Sequence, residues 1–127
     1  MNPEQKQIWR DALLSGEYSQ GRGWLKRESE DGTTEYCCLG VLCEKAVEEG
    51  VIPEPTRRVL SSGKVVFAYG EEGTEEILPR EVMEWAGMQS AGGHVDSYNL
   101  PSDTLYGLND GEGYSFVQLS DVIEEHF

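Results

Sequence analysis

Apolar residues recur at helical spacing in four stretches of the chain and alternate with polar residues in several others. Ile8, Trp9, Ala12 and Leu13 share one helical stripe. Asn2 stands where an N-cap belongs, with Pro3 at the first helical position and Gln5 three residues past the cap. Gly16 supplies a left-handed stop, so a helix is predicted over about 3–15. Leu39, Leu42, Cys43, Ala46 and Val47 form an uninterrupted core stripe, with Glu44, Lys45, Glu48 and Glu49 on the wet side. Gly50 ends that second helix, and Val51 folds back against it. Pro79 opens a third helix carrying Val82, Trp85 and Ala86, closed by Gly87 with Met88 behind it. Ser115 and Gln118 make a capping box for a last helix that buries Phe116, Leu119, Val122, Ile123 and Phe127.

Between the helices the period changes to two. Residues 24–28 and 33–37 read as a hairpin across Ser29-Glu30-Asp31-Gly32, where Asp-Gly tolerates positive φ. A second hairpin pairs 57–60 with 64–69 across Ser61-Ser62-Gly63, and a short strand is expected near 74–77. Residues 18–23 read as a loop, and Ile52-Pro53-Glu54-Pro55 as an extended connector. Residues 89–104 form a long polar loop containing Gly92-Gly93 and His94, the place where the weakest order is expected. Four short helices and five strands in mixed order, without internal repeats, predict one α+β domain over 1–127, with the helices packed on antiparallel hairpins.

Composition narrows the setting. The 127 residues include 24 acids and 10 bases, a net charge of −14, which argues against direct binding to nucleic acid or anionic lipid. No apolar run is long enough to span a membrane, and Met1-Asn2-Pro3-Glu4 does not open a signal peptide, so a cytoplasmic protein is expected. The charge is uneven. Residues 1–64 carry 11 acids and 9 bases, whereas residues 65–127 carry 13 acids and one base, Arg80. Such a half is either a solubilising surface or a single-sign face for a basic partner, with Glu71, Glu72, Glu75, Glu76, Glu81 and Glu84 as its core.

Candidate chemistry is sparse. Cys37, Cys38 and Cys43 are an odd set without paired CxxC knuckles, and the only histidines are His94 and His126, so neither a disulfide framework nor a zinc site is expected. Cys43 lies on the core stripe. Cys37 and Cys38 sit where a strand meets a helix start, a setting that lowers thiol pKa; a cysteine hydrolase would need His94 as base. Asn109-Asp110-Gly111-Glu112-Gly113 suggests a calcium loop, but alignment on Gly113 puts Leu108 and Leu119 at ligand positions, so a turn feeding a capped helix is the simpler reading. Arg22, Lys26, Arg27 and Arg57 are candidates to hold phosphates of a small nucleotide, with Trp24 or Tyr98 stacking on a base, and a symmetric oligomer would then be expected. Ion pairing with nearby glutamates explains the same bases. No GxGxxG or GxxxxGK[ST] motif is present, and no cofactor is expected.

Tyr36-Cys37-Cys38-Leu39-Gly40-Val41-Leu42-Cys43 resembles a block in small accessory proteins of tailed bacteriophages and prophages. Gly21-Arg22-Gly23-Trp24-Leu25 resembles their Gly-x-Gly-x-Leu strand, and Leu108-Asn109-Asp110-Gly111-Glu112-Gly113-Tyr114-Ser115-Phe116 their ending, with one glutamate-glycine variation. The resemblance implies a phage accessory protein acting in the bacterial host cytoplasm and transfers no catalytic residue. The expected function is non-enzymatic: binding and inhibition of a host factor, such as an antiviral defence component, through the acidic surface. A sponge for a nucleotide immune signal is the alternative, followed by a cysteine hydrolase or a virion assembly role.

Overall fold

The structure, a computed structural model, describes residues 1–127. In chain order its elements are α1 (Pro3–Leu14), β1 (Ser19–Gln20), β2 (Lys26–Glu28), β3 (Thr34–Tyr36), α2 (Cys38–Glu48), β4 (Thr56–Val59), β5 (Val65–Ala68), α3 (Arg80–Ala86), α4 (Leu105–Asp110) and α5 (Phe116–His126). The class is the expected α+β, with five helices rather than four. No helix is long and apolar enough to cross a membrane.

The second apolar stripe becomes the centre of the molecule. α2 packs against α1, α3, α4 and β3, so it buries Cys38, Leu39, Gly40, Val41, Leu42, Cys43 and Ala46 rather than one stripe alone. Each large aliphatic side chain removed from water there stabilises the fold by roughly 1.5–3 kcal/mol. Gly40 sets the depth of that packing. A Cβ at this position would lie 1.7 Å from the Leu25 carbonyl oxygen, so only glycine lets the helix reach the segment leading into β2. α5 lies along α1, and Trp9 between them is wholly buried. Its indole Nε1 donates to the Cys38 carbonyl at 2.8 Å, and its ring meets Phe127 edge-on at 6.4 Å.

Both expected hairpins form, and they join into one sheet ordered β1-β3-β2-β5-β4. Lys26 pairs with Tyr36 and Arg27 with Glu35 across the first; Arg57 pairs with Phe67 and Arg58 with Val66 across the second. Arg27 opposite Val66 links the two. The register puts Lys26, Tyr36, Arg57 and Phe67 on one face of the sheet and Arg27, Glu35, Arg58 and Val66 on the other.

Four local expectations give way to longer-range contacts. Asn2 makes no cap bond to α1; its amide donates to the Trp85 carbonyl at 3.0 Å and its N–H to Ala86 at 2.8 Å, closing the end of α3 instead. Residues 74–77 are not a strand, because only Thr74 bridges to Tyr69. The fifth strand is β1, inside the expected 18–23 loop, held by parallel pairing to β3. The turn expected over Asn109–Gly113 begins instead as the end of a helix, α4, which holds Asn109 and Asp110, is capped by the Thr104 side chain and buries Leu105 and Leu108. The long loop before it is fastened at its base, where Val95 donates to Asp103 at 2.7 Å and Leu105 to Gly93 at 2.9 Å.

Candidate functional site

The three sequence blocks quoted above for their resemblance meet at one residue, Asn109, which is wholly buried. Its Oδ1 accepts from Gln20 Nε2 at 2.8 Å and from the Cys38 N–H at 3.3 Å. Its Nδ2 donates to the Gly21 carbonyl at 3.0 Å and to Asp110 Oδ1 at 2.8 Å. Both acceptor sites and both donors of the amide are thereby used. The Asn109 carbonyl accepts from Arg22, which places a base at the C-terminal end of α4. Gln20 also donates to the Tyr114 carbonyl at 2.8 Å, which ties β1 to the turn before α5. A fully satisfied amide has nothing left to offer a substrate, so this junction holds the fold together.

The thiols are equally committed. Cys37 is the residue at the N-cap of α2, and the amides of Leu39 and Gly40 favour its thiolate. Burial outweighs them and pushes the Cys37 thiol up to about 12. Burial also raises Cys38 and Cys43 well above the ordinary thiol range. His94 lies apart from all three, in a groove with Met1, Met88 and His126. The structure therefore assembles no thiolate–imidazole couple, and no group of three or more His, Cys, Asp or Glu side chains is placed to hold a metal ion.

The candidate phosphate-binding bases are dispersed. Lys26 lies 3.6 Å from Glu44 and 4.6 Å from the centre of the Phe67 ring, beneath α2. Tyr36 and Tyr69 both donate to Glu44, at 3.1 Å and 3.0 Å, and burial raises the pKa of each phenol. Arg57 shares that face and sits 3.7 Å from Glu28, while Arg27 pairs with Glu35 at 2.9 Å on the opposite one. Tyr98 is fully exposed on the long loop. Only Trp24 and Arg27 of the set come together. They line a groove of about 630 Å³ between the two hairpin tips, where Lys64, Ser62 and Gly63 join them beside Glu28 and Glu30. Lys64 is legible in the sequence as a base on the second hairpin, and the pairing of β2 with β5 brings it beside the first.

The acidic segment divides into tied and free carboxylates. Glu75 holds Arg58 through two hydrogen bonds, at 2.7 Å and 2.6 Å, and these keep its carboxyl below the usual range. Glu81 accepts the Glu71 N–H at 2.7 Å, which lowers its own pKa and locks the turn at Gly70 against the start of α3. Glu71, Glu72, Glu76 and Glu84 remain exposed, and Arg80, 3.9 Å from Glu84, is the only base in ion-pair range of them. Ile77, in the same segment, is 43% exposed. A family model described as a domain of unknown function, DUF8296, matches residues 1–127. No curated protein and no solved structure matches the chain.

Proposed function

The chain belongs to the DUF8296 family, and we propose that it is a non-enzymatic binding protein whose acidic face docks on a basic surface of a host protein. One observation carries this reading: the exposed carboxylates Glu71, Glu72, Glu76 and Glu84 and the half-exposed Ile77 lie in one segment, 71–84, that Glu75 and Glu81 anchor. Anchoring lowers the entropy lost on docking, and a single-sign face speeds encounter with an oppositely charged partner. Exposed carboxylates on an anchored segment also offer the charge that a DNA-binding protein is built to receive. The phage resemblance favours a host defence component as the partner, met in the bacterial cytoplasm.

The test compares wild type with the triple charge reversal Glu72→Lys, Glu76→Lys, Glu84→Lys, none of which holds another element in place. Proteins retained from bacterial lysate are identified by mass spectrometry, and the best is purified for titration across ionic strength. The expected partner is basic, binds more weakly as salt rises, and is lost with the triple variant. A partner whose affinity ignores both salt and charge reversal would overturn the proposal.

The groove shared by Trp24, Arg27 and Lys64 supports a second reading, in which a nucleotide stacks on the indole while the two bases meet its phosphates. Thermal-shift measurement with cyclic nucleotides and ADP-ribose derivatives tests it, because a ligand that binds only the folded chain must raise Tm. An unchanged Tm at millimolar ligand would eliminate it.

A further inference from the structure

The chain has two histidines and three methionines, and both histidines and two of the methionines line a single groove of about 460 Å³. We propose that this groove binds one copper(I) ion through His94, His126, Met88 and Met1. The four side chains come from distant segments whose backbones are held in place. Met1 precedes Asn2, which is fastened to the end of α3 by its bonds to Trp85 and Ala86. Gly87 turns the chain in a left-handed conformation, and the Met88 N–H then donates to Met83 at 2.9 Å. The His94 N–H donates to Ser90 Oγ at 2.6 Å. His126 ends α5, which is bound to α1 where Lys6 donates to the Glu124 carbonyl at 2.9 Å and Arg10 to its carboxylate at 2.8 Å.

The donor chemistry selects the ion. Thioethers are soft and uncharged, and with imidazoles they favour copper(I) over magnesium or calcium, which take carboxylate and carbonyl oxygens. The net charge of −14 draws cations toward the chain. Glu125, whose carboxylate lies 3.9 Å from His126 Nε2, offsets the charge of an ion held by the other imidazole nitrogen. Because the groove is open and His94 is exposed, an ion has a path in.

Anaerobic titration of the reduced full-length protein with copper(I), in competition with bicinchoninate, tests the site. One equivalent should be withheld from the chelator, with both nitrogen and sulfur neighbours in the copper X-ray absorption spectrum. His94→Ala and His126→Ala should each weaken binding by about tenfold or more, a loss of about 1.4 kcal/mol per tenfold. Met88→Leu keeps the packing volume and should weaken it too. The site is refuted if bicinchoninate takes all the copper from wild type. It is equally refuted if the double histidine variant withholds as much copper as wild type. Zinc(II) held as tightly as copper(I), with Met88→Leu without effect, overturns the thioether assignment.

Discussion

Gly40→Ala is the sharpest test of how the fold is built. By local rules the change should help, since alanine in a helix interior is favoured over glycine by about 1 kcal/mol. Gly40 lies in the first turn of α2, and a Cβ there would fall 1.7 Å from the Leu25 oxygen, 2.6 Å from its carbonyl carbon and 3.1 Å from its Cα. All three are backbone atoms, so no flexible side chain can swing aside. The helix must retreat by roughly 1.5 Å to restore van der Waals contact in a core packed to crystal-like density. α2 would carry its buried residues away from the sheet, and the Cys38–Asn109 and Cys38–Trp9 bonds would stretch with it. Overpacking of side chains costs about 1–3 kcal/mol, and this clash against main chain belongs at or above the upper end. A net loss of about 3 kcal/mol lowers Tm by about 12 °C in a domain of this size. Urea unfolding and calorimetry would measure both. Gly16→Ala is the control: φ is +77° with nothing within 4 Å of the new methyl, so its loss is confined to about 1–2 kcal/mol of backbone strain. Equal or greater stability of Gly40→Ala than of wild type would refute this account of α2 and Leu25.

Two further perturbations probe the core. Asn109→Ala leaves the Cys38 N–H and the Gly21 carbonyl without partners, and at about 1–3 kcal/mol for each buried orphan the loss should approach about 4 kcal/mol. Asn109→Asp turns a carboxylate toward Gly21 and Asp110 and should be at least as damaging; a loss under about 1 kcal/mol for both variants in urea would show that the junction does not hold the fold. Stability should also fall on the alkaline side. The folded thiols have raised pKa values, so stability is whole below the unfolded value of 9.0 and declines as pH rises toward about 12 for Cys37. Each buried thiol contributes a loss of about 1.4 kcal/mol per pH unit in that window, and Tyr36 and Tyr69 add to it above about pH 10. Urea midpoints at about pH 8 and about pH 10 should therefore differ, and Cys43→Ala should flatten the difference; identical midpoints would contradict the burial of these groups. The native chain should likewise leave an aromatic disulfide reagent unreduced until it unfolds.

What the sequence determined by itself is what acts within a few residues. The Ser115–Gln118 capping box, the left-handed Gly87 closing α3, the Asp-Gly hairpin tip and the stripe from Leu39 to Val47 each formed where local pattern predicts, because cap bonds, turn φ values and side-chain period are set by neighbours along the chain. α4 was also within reach, through Thr104 before Leu105 and Leu108, but six residues are too few for a periodic signal to outweigh the turn residues that follow. Tertiary structure alone decided the rest. It took Asn2 from α1 and gave it to α3, made a strand of Ser19–Gln20 by pairing it with β3, and dispersed the bases by register across two faces of a sheet. Cys37 shows the contest in one side chain: its place at a helix start lowers the thiol pKa, and burial by distant segments raises it further. The net charge of −14 was evident at once, but which carboxylates are tied, as Glu75 and Glu81 are, and which face solvent depends on partners distant in sequence. Local rules reach about one helical turn, while burial and pairing are fixed by whatever the fold brings into contact.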